Sequence, residues 1–190
     1  IYSVTFCYPV KIMSLAHVLL TSLLEKPSTG FELARRFDRS MGYFWNATHQ
    51  QIYRELGHML SKGWISTVDE AQSSRKKVYQ VEQSGRIELA DWLSKQSPPA
   101  QLREDLMVRL RAEAKLGGNL ILPELQRHLT LHQETLNIYQ SIYQKDFGNH
   151  IPLQRTLYIH KMILELGIQL ELEWIKWLQQ LIPVLARLEE

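Results

Sequence analysis

The sequence predicts a mainly α protein in two parts: an N-terminal winged helix-turn-helix, then a C-terminal domain of long, antiparallel coiled-coil-like helices. Three observations predict it. Residues 30–92 read in order as a helix, an aromatic turn, a second helix, a glycine stop, two short alternating strands around a basic loop, and a further helix. Pro98 and Pro99 then stop that helix and stiffen the chain. Beyond them the apolar residues recur by three and four almost to the last position. The domain boundaries expected from this are 1–12 as an extension or non-native leader, 13–97 as the winged helix-turn-helix, and 98–190 as the helical domain.

Composition narrows the function classes. With 190 residues, 45% apolar and 22% charged, the chain is long enough and apolar enough for one or two packed cores. Formal net charge is only +2, so a nucleic-acid contact must come from locally clustered charge. A single cysteine, Cys7, excludes an internal disulfide and a cysteine-based zinc site, which points to a reducing, cytoplasmic setting. No apolar run approaches the length of a membrane span. Residues 1–10 are apolar but lack a basic leader and a small-residue cleavage site.

The elements follow in order. Ser14 is placed to cap a helix to about Glu25, with Leu15, Val18, Leu19 and Leu23 as its buried stripe. Residues 27–30 read as a turn, and Thr29 with Glu32 forms a capping-box pattern for the next helix. Phe31, Leu33, Ala34 and Phe37 give that helix its apolar face, leaving Arg35, Arg36 and Arg39 towards solvent or a phosphate backbone. Tyr43, Phe44 and Trp45 form an aromatic packing turn. Asn46 or Thr48 caps the third helix, whose buried positions are Ile52, Leu56, Met59 and Leu60.

The third helix leaves His49, Gln50, Gln51, Tyr53 and Arg54 on its free face. Glutamine pairs bidentately with adenine edges and arginine with guanine edges, so Gln50, Gln51 and Arg54 are the candidates for base readout. Gly63 suits a left-handed stop, and residues 64–68 and 78–81 alternate as strands. Arg75, Lys76 and Lys77 beside the hairpin loop are the densest basic cluster. With Thr48 and Tyr53 they are the candidates for phosphate or minor-groove contact. Ser84 caps a helix to about Lys95 that packs through Ile87, Leu89, Trp92 and Leu93.

In the second half, Leu102, Leu106, Val108, Leu110 and Leu116 mark one helix. Pro123 opens another, with the seam Leu125, Leu129, His132, Leu136, Tyr139 and Tyr143. Pro152 opens a helix of nearly forty residues carrying Ile159, Ile163, Leu166, Leu170, Trp174, Trp177 and Leu181. Two helices cannot bury so wide a stripe on each other, so a second copy of the chain is the expected partner and these seven residues the expected dimer contact.

Nothing in the sequence carries an enzyme's chemistry: no nucleophile elbow, phosphate-cradling loop or paired carboxylates. His128 and His132 stand four apart but lack a third ligand, so no metal and no cofactor is expected. His17 is expected to be packed or phosphate-facing. Trp174, Trp177, Tyr139 and Tyr143 are core residues first, and candidate lining for an unidentified small-molecule effector second.

Several segments together resemble the PadR family of bacterial transcriptional regulators. They are Thr29-Gly30-Phe31-Glu32-Leu33, Gln51-Ile52-Tyr53-Arg54-Glu55-Leu56, Lys62-Gly63-Trp64-Ile65, Lys77-Val78-Tyr79 and Ser84-Gly85-Arg86. The run Asn46-Ala47-Thr48-His49-Gln50-Gln51 is most similar to the virulence-activator AphA branch of that family. Phe31 stands for the family's usual Tyr, Trp64 for its Leu, and Ser84 near its Thr. The likeness is dense over 13–95 and looser beyond. It implies a homodimeric, sequence-specific regulator that binds double-stranded DNA at inverted repeats. The alternative from the residues alone is a protein-interaction scaffold built on a winged helix, without direct DNA readout.

Overall fold

A computed structural model describes residues 15–37, 47–69, 77–97, 99, 104–148 and 154–188. The expectations for Ser14, Arg39, the aromatic turn at 43–45, Asn46, Arg75, Lys76, Leu102 and the helix start at Pro152 lie outside these residues. The chain divides into two units, 1–100 and 101–190.

In the first unit, α1 (Leu15–Glu25), β1 (Ser28–Thr29), α2 (Gly30–Phe37), α3 (His49–Ser61), β2 (Ile65–Asp69), β3 (Lys77–Val81) and α4 (Gln83–Ser94) follow in order. α1 is the central element. Its Ala16, Val18, Leu19, Leu20 and Leu23 are buried, and it touches α2, α3, α4 and β3. α2 adds Leu33, Ala34 and Phe37; α3 adds Ile52, Leu56 and Met59; Ile65 and Leu89 close the cluster. Each fully buried leucine or isoleucine of this set stabilises the unit by about 1.5–3 kcal/mol relative to exposure.

Four details differ from the sequence expectation. Residues 28–29 form β1, which pairs antiparallel with β3 (Ser28 opposite Tyr79, Thr29 opposite Val78), giving a three-stranded sheet of order β1-β3-β2. A two-residue strand has no periodicity to read, and its sequence is that of a turn. Phe31 is 64% exposed, and Ile87 and Leu93 are also on the surface. Leu60 is exposed too: one residue past Met59, it is rotated about 100° from it around the helix, to the edge of the buried stripe of Ile52, Leu56 and Met59. Ser84 lies inside the first turn of α4 with Glu82 at the cap; its hydroxyl donates to the Gly63 carbonyl instead.

The second unit consists of α5 (Asp105–Leu116), α6 (Leu122–Phe147) and α7 (Arg155–Arg187). Contacts between Leu125 and Leu178, His132 and Glu171, Tyr139 and Gly167, and Tyr143 and Glu165 make α6 and α7 an antiparallel pair. Pro123 occupies the first turn of α6, where a missing N–H costs nothing. α5 covers one end of the pair: Leu106 and Ile121 pack with Leu125 and Leu178, flanked by Leu110, Leu129, Trp174, Trp177, Leu181 and Leu185. Val108 and Leu116, which marked this helix in the sequence, are exposed. No described helix is long and apolar enough to cross a membrane.

Candidate nucleic-acid interface

α3 begins with a full capping box. The Thr48 side-chain oxygen accepts from the Gln51 N–H at 3.3 Å, and the Thr48 N–H donates to Gln51 Oε1 at 2.8 Å. The Thr48 hydroxyl also donates to Gln51 Oε1 at 3.2 Å. Two orphan donors are satisfied reciprocally, which fixes where the helix starts. Burial of Ile52, Leu56 and Met59 against α1 and α2 fixes its rotation. His49, Gln50, Tyr53 and Arg54 then lie on the exposed side.

This geometry separates the two glutamines. Gln51 is exposed, but its carbonyl oxygen is held at the cap, so only its amide N–H groups remain for another partner. Bidentate pairing with adenine needs both the acceptor and a donor, and Gln50 is the residue that keeps both on the exposed face. Thr48 likewise spends its hydroxyl on the cap. The sequence carried the signal: Thr48 and Gln51 repeat the spacing of Thr29 and Glu32. That second box is also formed, with the Thr29 N–H 2.9 Å from Glu32 Oε2 and the Glu32 N–H 3.2 Å from Thr29 Oγ1.

Arg36 has a structural task. Its guanidinium donates to the Ser22 carbonyl at 3.0 Å, to the Lys26 carbonyl at 2.8 Å and to the Ser28 hydroxyl. It therefore adds a second donor to carbonyls at the end of α1 and in the turn into β1, which already accept from the Lys26 N–H and the Ser28 hydroxyl, and ties the two segments together. Burial lowers its pKa from the ordinary arginine value, with Glu25 and Glu32 opposing. Arg35 is exposed. His17 is buried in α1, stacked on Trp92 at 4.7 Å with Nε2 3.4 Å from Glu88 Oε1, and so belongs to the α1–α4 packing.

The hairpin follows from a tight turn. Gly63 adopts φ 67°, and the Trp64 N–H donates to the Met59 carbonyl at 3.0 Å. α4 approaches this turn so closely that a Cβ at Gly85 would lie 2.3 Å from the Trp64 carbonyl oxygen, which explains the glycine. β2 and β3 pair from Ile65 opposite Val81 to Asp69 opposite Lys77. Lys77 is thus the exposed first residue of β3; Arg75 and Lys76, the rest of the basic cluster, lie outside the described residues.

In the second unit the seven expected dimer residues fall into two groups. Trp174, Trp177 and Leu181 pack inside the chain against the cluster closed by α5, with His132 stacked on Trp174 at 5.1 Å. Ile159, Ile163, Leu166 and Leu170 are 44–61% exposed and continue the same spacing of four and three along α7. His132 Nδ1 lies 2.6 Å from Glu171 Oε2, and His128 Nε2 lies 3.3 Å from Glu124 Oε1. Among the described residues no group of three or more His, Cys, Asp or Glu is arranged to hold a metal ion. Tyr139 and Tyr143 face α7 within the pair, Tyr139 against Gly167 and the Tyr143 hydroxyl donating to Glu165 at 3.3 Å.

Known proteins share this architecture. Residues 19–91 match the model of the transcriptional regulator PadR-like family, and residues 102–186 match that of the virulence activator alpha C-terminal domain. A probable transcriptional regulator of Mycobacterium tuberculosis is 35% identical over 185 residues, covering 91% of this chain and 98% of that protein. The structure of the Vibrio cholerae virulence activator AphA superposes with a TM-score of 0.76 at 27% identity, covering 92% of this chain and 99% of the other. Bacillus subtilis PadR, solved in complex with operator DNA, superposes with a TM-score of 0.77 at 24% identity, covering 90% and 97%. The same Bacillus protein has been solved with p-coumaric acid. These relatives are transcriptional regulators, not enzymes. By its sequence and by the fold just described, this chain belongs to the PadR-like family of transcriptional regulators.

Proposed function

We propose that the chain is a homodimeric, sequence-specific DNA-binding regulator, and that two copies joined through α7 set two α3 helices into successive major grooves. The observation that carries the reading is α3 itself. It is capped at Thr48, buried through Ile52 and Leu56, and exposed at Gln50, Tyr53 and Arg54. Gln50 and Arg54 read base edges. His49, Tyr53, Lys77 and the neighbouring Arg75 and Lys76 contact the phosphate backbone or the minor groove. Gln51 and Thr48 build the cap, with the Gln51 amide left as a donor. The operator DNA bound by the Bacillus relative supports the class of partner.

A twofold arrangement calls for an inverted-repeat site with half-sites about 34–36 Å apart, or a multiple of a turn. The long exposed row on α7 supports the dimer; its four residues are spaced as one coiled-coil seam. Such a protein acts on promoter DNA in the cytoplasm, as the single cysteine also fits.

The test begins with genomic fragments recovered by the purified full chain. Replacing Arg54 by Ala should weaken binding to a recovered duplex by about 1–3 kcal/mol and relax preference at one base position. Unchanged affinity and preference would show that another face of α3, or another element, meets DNA.

A further inference from the structure

Gly30 opens α2, yet its backbone has no positive φ that demands a glycine. Glycine inside a helix is less favourable than alanine by about 1 kcal/mol, and at Gly30 the space around the residue supplies a reason for it. A Cβ at Gly30 would lie 2.5 Å from Tyr53 Cε1 and 3.3 Å from both Cδ1 and Cζ. The Tyr53 ring of α3 therefore presses on the bare backbone of α2. Gly57, in the middle of α3, is the contrast: a Cβ there would meet nothing within 4 Å.

The platform under the ring is rigid. Residue 29, just before Gly30, is fixed twice, by the capping box with Glu32 and by the pairing of Thr29 with Val78 in the sheet. Tyr53 is 48% exposed and its ring is the far end of a side chain. An added methyl group would thus displace the ring before it displaced the backbone.

We propose that Gly30 is a positioning residue for DNA binding: its missing side chain seats the Tyr53 ring against the first turn of α2 and sets where the exposed part of Tyr53 meets a phosphate. Seating the ring in the free protein removes rotamer freedom that would otherwise be lost on binding. The inference rests on the reading of α3 as the DNA-facing helix.

The experiment is a double-mutant cycle on the full chain, using a labelled duplex recovered from fragmented genomic DNA, with affinity and thermal midpoint measured for each variant. Gly30→Ala should weaken binding about tenfold in the parent chain and less than about twofold in a Tyr53→Ala background. In that background its thermal midpoint should not fall, since alanine is the better helix former. Equal losses in both backgrounds, or no loss from Gly30→Ala where Tyr53→Ala weakens binding, would overturn the proposal and leave the α3 reading standing. Full affinity in both Tyr53→Ala and Arg54→Ala would overturn both. If Gly30→Ala prevents folding, aromatic NMR of the parent chain decides: a Tyr53 ring held in one rotamer with contacts to the Gly30 α-protons supports the seating role, and a ring that averages over rotamers overturns it.

Discussion

The two units bury their apolar residues differently. In the first, α1, α2, α3, the sheet and α4 enclose a cluster that includes Leu19, Leu20, Leu33 and Ile52 at 0% exposure. In the second, the cluster around Leu106, Leu125 and Leu178 occupies only the end covered by α5. Along the remaining length of α7, Ile159, Ile163, Leu166 and Leu170 face outward. One unit encloses its apolar cluster with its own elements; the other leaves an apolar row of one helix exposed. The homodimer proposed above needs both properties, one unit that folds by itself and another that keeps an apolar row for a second copy.

The sharpest way to break this contrast is Leu166→Glu. A carboxylate in the middle of the row should leave the fold intact and split the dimer. It should also weaken operator binding by about 10²–10⁴-fold, because the second half-site loses its tethered partner. Light scattering and a binding titration on the same sample would check this; a dimer that survives the substitution would move the interface elsewhere.

Leu33→Ala tests the other side. Leu33 is fully buried in the first unit, and its truncation should cost about 2–5 kcal/mol. Thermal unfolding should then show the first unit melting early, while the mass in solution stays that of the dimer. Simultaneous loss of both units would show that they do not fold independently.

The smallest effect concerns acid. The Glu124 carboxyl is held at about 2, chiefly by its hydrogen bond from Arg127. A lowered carboxylate pKa stabilises fully above the ordinary value near 4.5 and loses that contribution progressively as pH falls from there through about 2. Carboxyl NMR titration of the full chain should therefore show Glu124 still ionised at a pH where ordinary glutamates are half protonated. A midpoint at the ordinary value would mean the Arg127 pair does not persist in solution.

Much of this was legible from residues alone, where local pattern decides. The order of elements apart from β1, three of the four positions expected to be buried in α3 (Ile52, Leu56 and Met59), and the seam from Leu125 to Tyr143 follow local spacing. The parts that were not legible depend on distant partners. Arg36 looks like any surface arginine until the end of α1 folds beside it. Apolar spacing placed Trp174 and Ile163 in one stripe, and only the position of α5 within its unit separates a packed residue from an exposed one. Phe31, Ile87 and Leu93 show that an apolar residue on an amphipathic helix need not face the core. The engagement of Gln51 at the cap was within reach, since Thr48 and Gln51 carry the capping-box spacing; the cap uses the carbonyl that the proposed base readout would need.

The proposed regulator requires a second copy covering the row from Ile159 to Leu170. The direct measurement is the mass of the full chain in solution, by sedimentation equilibrium across a range of concentrations. The predicted result is twice the 22.3 kDa of a single chain. A single-chain mass at every concentration would contradict it.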